Sequence, residues 1–449
     1  MASLSLSALP FILFIFTFTD LGHCITQNTS ITEYLKLPLL HKTPPPSALH
    51  ALSLDNHRLS LLHSHRALKS PIVSGAPSGA GQYFVSLRLG SPPQTLLLVV
   101  DTGSDLIWVQ CSACRNCSNR VPGSAFLARH SSTFSPTHCF DSACQLVSHP
   151  EHTSCNHTRL HSPCRYEYLY ADGSLTSGFF SRETATLNTS SKREARHKDL
   201  AFGCGFRVSG PSVTGSRFNG AHGVLGLGRG PISFPSQLGR RFGHKFSYCL
   251  MDYTLSPPPT SYLMIGDAQN EVISNMNFTP LLKNPLSPTF YYIGIRSVFV
   301  NNVKLRIDSS VWSLDESGNG GTVIDSGTTL TFLAAPAYRL ILKAFDRRVK
   351  LPRVAVPAPG FDLCINVSSE SKPRLPRMSF KLLGDSVFSP PPRNYFIDTS
   401  DGVKCLAIQP VDSVTGFSVI GNVMQQGYLF EFDMKSSRLG FTRRGCAHP

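Results

Sequence analysis

An acidic residue set between two strand-like apolar runs constrains this chain more than any other feature. Residues 96–100 read LLLVV, Asp101 follows directly, and a second apolar run, LIWV, fills residues 106–109. A carboxylate in such a place is costly to bury unless hydrogen bonds or a function compensate for it. The same order of residue types recurs at residues 322–333, where TVI precedes Asp325 and SGTTLTFL follows it. The chain therefore carries two Asp-(Thr/Ser)-Gly-(Ser/Thr) turns, one in each half.

Each of these turns has a glycine-containing apolar stretch further along the chain. The first is followed by GVLGLG at residues 223–228, and the second by FSVIGN at residues 417–422. Such repetition indicates that the halves are divergent copies of one unit, the first being the longer. Either turn alone is equally compatible with an ordinary Asx turn, whereas the two together indicate a duplicated site.

Length and composition favour a two-lobed β protein. The chain has 449 residues, which is too long for one hydrophobic core. Charged residues make up 16% of it, below the usual share of about a quarter. It contains 34 Gly and 33 Pro, which indicates many turns. We therefore predict an all-β fold.

The paired motifs resemble those of the pepsin-type aspartic proteases, over roughly residues 80 to 449. A cysteine-rich segment after the first motif, at residues 111–164, is similar to that of the nepenthesin-like plant group. The resemblance implies a bilobal fold with a cleft between two homologous lobes. The N-terminal lobe, with the cysteine-rich insertion and a flap, would span residues 79–262, and the C-terminal lobe residues 263–449.

The resemblance makes Asp101 and Asp325 the catalytic pair. Two carboxylates held close together cannot both ionise, so one of them keeps its proton. The ionised carboxylate takes a proton from a bound water, and its partner polarises the carbonyl of a peptide substrate. This chemistry needs no metal and no cofactor. No motif suggests a Ser–His or Cys–His pair instead.

The residues beside the two aspartates also have roles implied by the resemblance. Gly103 and Gly327 allow tight turns and offer backbone donors. Thr102 and Ser326 would brace the two loops against each other. Ser104 and Thr328 would bind the outer carboxylate oxygens. Trp108 would support a flap tyrosine. For Trp108, a plain core aromatic is the alternative.

Residues 165–179 predict the flap. Alternating aromatic residues flank Asp172-Gly173, the pattern of a β-hairpin with a tight turn. By resemblance, Tyr170 is the functional tyrosine that closes over the substrate. The alternative is a surface hairpin with stacked tyrosines. The family usually has glycine where this chain has Ala171.

Thirteen cysteines suggest an oxidising compartment. Cys24 falls where a signal peptide would end, and the other twelve allow up to six disulfides. Zinc binding is the alternative for Cys111, Cys114 and Cys117, although no matching ligand pair follows at motif spacing. The resemblance implies the following bridges: Cys139–Cys164, Cys144–Cys155, Cys249–Cys446 and Cys364–Cys405, with Cys111, Cys114, Cys117 and Cys204 forming two more. Spacing alone does not fix this pairing.

The N-terminal region has the character of a processed leader. Residues 8–18 are apolar but too short to span a bilayer, so residues 1–24 predict a signal peptide. Residues 25–78 are basic, and leucines at 54, 61, 62 and 68 allow a short amphipathic helix. We interpret this segment as a propeptide, with a disordered linker as the alternative. Five sequons after residue 80 agree with secretion, at Asn116, Asn156, Asn188, Asn277 and Asn366.

The net charge of +14 raises the question of an anionic partner. The basic residues are scattered through loop-like stretches without a nucleic-acid motif, so we expect no nucleic acid. A basic surface suits polyanionic surroundings such as a cell wall. We expect a monomer without a stable membrane anchor, located in the extracellular space (apoplast), with the vacuole as the alternative.

Two functions compete with the acid endopeptidase. One is a catalytically inactive pair of lobes that binds another protein, as in plant xylanase inhibitors that resemble this fold. Loss of either motif would favour it, and both are intact here. The other is a lectin-like role at the cell wall driven by charge.

Overall fold

The computed structural model describes most of the chain beyond residue 80 and short parts of the region before it. The described ranges are residues 34–40, 52, 55, 81–115, 125–150, 162–170, 173–189, 193–210, 213–214, 218, 220–252, 254–255, 259–267, 275–411 and 416–443, with side chains omitted at 113–115. The predicted signal peptide, nearly all of the predicted helix after residue 54, Asn116, Asn156 and Ala171 lie outside them.

Strands dominate the described residues, as predicted from composition and patterning. In the first half they are β1 (Leu35–Leu40), β2 (Phe84–Leu89), β3 (Gln94–Asp101), β4 (Trp108–Arg115), β5 (Ser135–Pro136), β6 (Arg165–Leu169), β7 (Leu175–Asn188), β8 (Glu194–Ser209), β9 (Gly223–Gly226), β10 (Lys245–Cys249) and β11 (Ser261–Ile265). In the second half they are β12 (Asn277–Leu282), β13 (Tyr292–Ile293), β14 (Ile295–Val300), β15 (Val303–Lys304), β16 (Thr322–Ile324), β17 (Thr331–Ala334), β18 (Cys364–Asn366), β19 (Met378–Leu382), β20 (Val387–Phe388), β21 (Phe396–Ser400), β22 (Val403–Leu406), β23 (Ile408–Val411), β24 (Ser418–Ile420), β25 (Leu429–Asp433) and β26 (Arg438–Thr442).

Three α-helices have both of their ends among the described residues: α1 (Phe234–Phe242), α2 (Ala335–Arg348) and α3 (Asn422–Gln425). Helix α2 has Pro336 in its first turn, and Tyr338, Ile341 and Phe345 on its apolar face are buried. Helix α1 is nine residues long and ends at Gly243, whose φ of 76° stops it. None of the described helices is both long and apolar enough to cross a bilayer.

Antiparallel pairing builds most of the sheets. Strand β2 pairs with β3 from Phe84–Val99 to Leu89–Gln94. A second hairpin joins β14 and β15 through Asn301 and Asn302, which have φ of 49° and 63°. Strand β1, which the sequence did not predict, precedes the predicted lobes and pairs with both β11 and β2.

A shared sheet joins the two halves of the chain. Strand β10 pairs antiparallel with β25, which continues to β26 and from there to β12. Phe246 and Phe432 lie opposite each other in this sheet, and their rings stack with centroids 4.5 Å apart. The aromatic contacts make this region part of one continuous hydrophobic core.

Three disulfides have both partners in the described ranges: Cys111–Cys204, Cys144–Cys164 and Cys364–Cys405. The implied pairs Cys139–Cys164 and Cys144–Cys155 are therefore wrong. The 3-10 helix Ser142–Leu146, capped by Asp141, turns Cys144 toward Cys164, an effect that spacing does not reveal. Cys139 and Cys249 are disulfide-bonded too. Cys111 has no thiolate left for zinc.

One buried acid in the shared sheet links stability to pH. Glu431 has no exposed surface, and neither carboxylate oxygen has a hydrogen-bond partner among the described residues. Burial raises the pKa of Glu431 above its ordinary value of 4.5; Lys245 opposes the rise, and Asp433 adds to it. The folded chain thus keeps a proton that the unfolded chain releases, so this contribution to stability is present below pH 4.5 and is lost as pH rises through the raised pKa.

We therefore expect Glu431→Gln to reduce the loss of stability at neutral pH. The free energy of unfolding should exceed that of the unmodified chain near pH 7 and match it near pH 4, since glutamine and protonated glutamic acid are both neutral. Thermal unfolding across this range measures the effect. The exposed Glu370 provides the control Glu370→Gln, which should follow the unmodified chain throughout. An equal difference at both pH values would contradict the assignment.

Candidate active site

The first Asp-containing turn lies at the end of β3. Strand β3 runs parallel to β9, which places Asp101 opposite Gly226. The Asp101 carboxylate is buried and accepts two hydrogen bonds, from the Gly103 backbone N–H at 3.1 Å to Oδ1 and from the Ser104 hydroxyl at 2.6 Å to Oδ2. These bonds satisfy both oxygens of a carboxylate that would otherwise be costly to bury.

The second turn repeats this arrangement. Asp325 follows β16, which runs parallel to β24. The Gly327 backbone N–H donates to Asp325 Oδ1 at 2.9 Å, and the Thr328 hydroxyl donates to Oδ2 at 2.7 Å. Donor type, acceptor atom and spacing thus match those of the first turn. Neither Gly103 nor Gly327 has a positive φ, so what each contributes to the carboxylate is its N–H donor.

Thr102 and Ser326 connect the two turns directly. The Thr102 N–H donates to Ser326 Oγ at 3.2 Å, and the Ser326 N–H donates to Thr102 Oγ1 at 2.8 Å. The Thr102 hydroxyl donates in turn to Asp325 Oδ1 at 3.3 Å, and the Ser326 hydroxyl donates to the Val100 carbonyl at 3.2 Å. All of these groups are buried. The cross-brace therefore brings two carboxyl-bearing turns, distant in sequence, side by side.

The glycines of the downstream stretches allow the backbones around the turns to approach closely. A Cβ on Gly226 would lie 2.5 Å from the Asp105 carbonyl carbon, and one on Gly421 would lie 2.0 Å from the Leu330 carbonyl oxygen. Any side chain at either position would force the strand away from its turn. This requirement explains why both halves carry a glycine at the end of an apolar stretch.

Tyr170 lies at the tip of the predicted hairpin. Strands β6 and β7 pair from Arg165–Phe179 to Leu169–Leu175, and the Tyr170 N–H donates to the Ser174 carbonyl at 2.8 Å. The indole N–H of Trp108 donates to the Tyr170 hydroxyl. Trp108 also stacks on Phe218 in the core, so it serves both of the roles considered from the sequence.

Two amide side chains below the second turn were not identified from the sequence. Gln425 Nε2 donates to the carbonyls of Asp325 at 3.1 Å and Ile420 at 2.8 Å. Asn422 Nδ2 donates to the Ser326 carbonyl at 3.0 Å. Both follow β24 in α3, and the only sequence signal for them was their proximity to the glycine of FSVIGN.

The arrangement has a definite chemical capacity. Two carboxyl groups, each with its outer oxygen held by a hydroxyl, can share a proton and activate one water between them. The structure joins the two Asp turns through Thr102 and Ser326, and it links Trp108 to Tyr170.

The cross-brace gives a test by substitution. Thr102→Val keeps the shape of the side chain but removes the hydroxyl, leaving the buried Ser326 N–H without its acceptor. Loss of one such partner costs about 1–3 kcal/mol, and we expect the free energy of unfolding to fall by that amount in denaturant titrations. Thr102→Ser retains the hydroxyl and should lose much less. Equal losses in both variants would show that the hydroxyl contributes little.

The comparisons with known proteins agree on one family. Residues 83–267 match the family model described as xylanase inhibitor N-terminal, and residues 290–443 match the one described as xylanase inhibitor C-terminal. The chain is 39% identical over 380 residues to aspartyl protease family protein 2 of Arabidopsis thaliana, covering 84% of this chain and 74% of that protein. It is 36% identical over 398 residues to aspartic proteinase nepenthesin-1 of Nepenthes gracilis, covering 88% and 85%.

Solved structures show the same fold. Superposition on the crystal structure of edgp gives a TM-score of 0.68 at 22% identity, covering 91% of this chain and 94% of that one. Basic 7S globulin from soybean gives 0.66 at 20% identity, covering 91% and 96%. Together with the paired Asp turns, these matches place the chain in the pepsin-like aspartic protease family, in the plant group that includes the nepenthesins.

Proposed function

We propose that the protein is a secreted aspartic endopeptidase that hydrolyses peptide bonds in protein or peptide substrates at acidic pH. One observation carries the proposal: Asp101 and Asp325 lie on joined turns, and each carboxylate is held by the same two kinds of donor. Burial of two such matched carboxylates is costly, which supports a functional role for the pair.

The proposed mechanism uses the pair as a unit. Repulsion between neighbouring carboxylates leaves one proton on the pair in acid, as in aspartic proteases generally. The ionised member takes a proton from a water molecule, which attacks the scissile carbonyl while the protonated member polarises it. The pair then returns a proton to the leaving nitrogen. The two aspartates titrate together, so their roles are not assigned individually.

The rival function is binding without catalysis. The family models that match this chain are described as xylanase inhibitor domains, so inhibition by protein binding is the alternative function. The intact pair of turns supports the enzyme instead, and the relatives named as proteases match at 36–39% identity. Assay of cleavage separates the two possibilities.

We expect the acid-treated protein to cleave denatured globin at about pH 3–5 and pepstatin to block the cleavage. Asp325→Asn should lower the rate at least 10³-fold, in the range for loss of a general acid–base group, because the pair can no longer exchange its proton. Release of peptides from globin gives the measurement.

The exposed Asp308 supplies the control Asp308→Asn, which should cleave like the unmodified chain. Both variants should have unchanged near-UV circular dichroism. Substantial cleavage by folded Asp325→Asn would reject the proposed pair. No cleavage by the unmodified chain at any acidic pH, together with retained protein binding, would favour the inhibitor function.

The segment before residue 79 has contacts that support its role as a propeptide. The buried Asp55 carboxylate accepts hydrogen bonds from the backbone N–H groups of Thr329 at 3.3 Å and Leu330 at 2.7 Å, four and five residues after Asp325. Leu52 packs in a buried cluster with Phe361. The described contact of this segment is therefore made by an acidic group, which binds backbone N–H groups shortly after Asp325. Protonation would weaken it, because a carboxylic acid is a poorer acceptor than a carboxylate.

We expect Asp55→Ala to speed activation of the full-length chain in mild acid. Removing the acceptor of two buried N–H groups weakens the hold of the segment on the second turn. The time course of globin cleavage after a pH drop measures activation. After processing is complete, the variant and the unmodified protein should have the same activity, since residue 55 is then absent. A lower final activity would contradict a role confined to the precursor.

Secretion is supported by two features of the described residues. The three disulfides suit an oxidising compartment. The sequon residues Asn188, Asn277 and Asn366 are exposed, so the surface positions that N-glycosylation requires are available.

A further inference from the structure

Asp105 is a carboxylate that the mechanism above does not use. It directly follows Ser104, whose hydroxyl binds Asp101. Its Oδ1 accepts the Gly230 backbone N–H at 2.7 Å, and its Oδ2 accepts the Thr289 hydroxyl at 2.7 Å. The carboxylate therefore joins the first Asp turn to a residue of the second half of the chain.

The chain segment opposite Asp105 is shaped around this carboxylate. A Cβ on Gly228 would lie 2.3 Å from Asp105 Oδ1, and one on Gly230 would lie 2.2 Å from Oδ2. The Gly228 N–H also donates to the Ser104 carbonyl at 2.8 Å. Residues 228–230 thus leave room for an acidic side chain and bind the backbone beside it.

The same segment contacts the second half through its backbone and through Arg229. The Arg229 N–H donates to the Thr289 carbonyl at 3.0 Å, and its guanidinium donates to the Leu282 carbonyl at 2.7 Å. The Tyr291 hydroxyl donates to the Leu227 carbonyl at 2.6 Å. Asp105 is therefore part of a continuous hydrogen-bonded contact between the two halves, beside the first turn.

Asp105 also reaches the base of the flap. Its backbone N–H lies 3.4 Å from the Tyr168 hydroxyl, and the Tyr168 ring packs edge-on against that of Tyr170 with centroids 5.3 Å apart. Asp105 of the first turn therefore contacts both the predicted flap, through Tyr168, and the second half of the chain, through Thr289. Displacement of this residue would move the Ser104 hydroxyl that holds Asp101.

We propose that Asp105 is a positioning residue for the reaction, holding the Ser104–Asp101 pair in register with the flap and with Thr289. This role rests on the proposed protease function. Burial raises the pKa of Asp105, although the bonds from Thr289 and Gly230 oppose the rise. The arrangement accommodates a proton, because a carboxylic acid can accept from Gly230 and donate to the Thr289 oxygen.

The experiment compares two pairs of variants with globin peptides as substrate. Asp105→Ala removes both bonds, so kcat should fall about tenfold; Thr289→Val removes one bond, so kcat should fall about threefold. In both variants KM should change less than about twofold, because misplacement of a catalytic group acts on the chemical step. Asp105→Asn can accept from Gly230 and donate to Thr289, and Thr289→Ser keeps its hydroxyl, so both should retain most of kcat. Thr254→Val, at an exposed threonine bonded only to Asp252 among the described residues, is the control and should be unchanged.

Active sites are counted by pepstatin titration, so that unfolded protein does not enter kcat. Unchanged kcat per titrated site in Asp105→Ala would overturn the role of Asp105 while leaving the protease function intact. Equal losses of kcat in Asp105→Ala and Asp105→Asn would also overturn this role, because Asp105→Asn keeps the two hydrogen bonds to which the effect is attributed. An unmodified chain that neither binds pepstatin nor cleaves would reject the protease function itself, and this role with it.

Discussion

The reciprocal hydrogen bonds between Thr102 and Ser326 are the interaction on which the site depends. Each residue uses a backbone N–H and a hydroxyl, and each hydroxyl donates onward, one to Asp325 and the other to the Val100 carbonyl. A single bond would leave the turns free to rotate about it, whereas two opposed bonds fix their separation and orientation. The buried setting strengthens them, because water does not compete for the same donors and acceptors.

Donors within each turn explain why carboxylates are tolerated at the ends of two apolar strands. A buried carboxylate is stable when its oxygens receive donors, and each turn supplies two to its own aspartate. The donors come from residues within three positions of the acid, so the turn forms its own binding site. The brace then adds what a single turn lacks, namely a second carboxylate close to the first. The proposed catalysis therefore depends on pairing two carboxylates that each accept donors from their own turn.

Sequence repetition indicated the two turns because the geometry of each is local, and the resemblance to aspartic proteases implied that the turns pair. An Asp, a hydroxyl residue and a glycine at fixed spacing specify each turn. The downstream glycines, Gly226 and Gly421, lie where two backbones approach too closely for any larger residue. Features that depend on contacts distant in sequence were not predictable. Cys144 pairs with Cys164 because a short 3-10 helix reorients it, and Asp105 meets Thr289 only when the two halves assemble. Strand β1 escaped notice because its alternation of leucine with Lys36 and Pro38 is short and lies outside the repeated units.

Two buried carboxyl groups other than Asp101 and Asp325 favour the folded state in acid. A chain with a net charge of +14 becomes more positive as its carboxylates take up protons, and the added repulsion opposes folding. Asp105 and Glu431 act in the other direction, since burial raises the pKa of each and the folded state therefore takes up their protons more readily than the unfolded chain does. One lies beside the first turn and the other in the sheet that joins the halves. Both are thus least costly to bury at the acidic pH at which the proposed pair of aspartates holds its single proton.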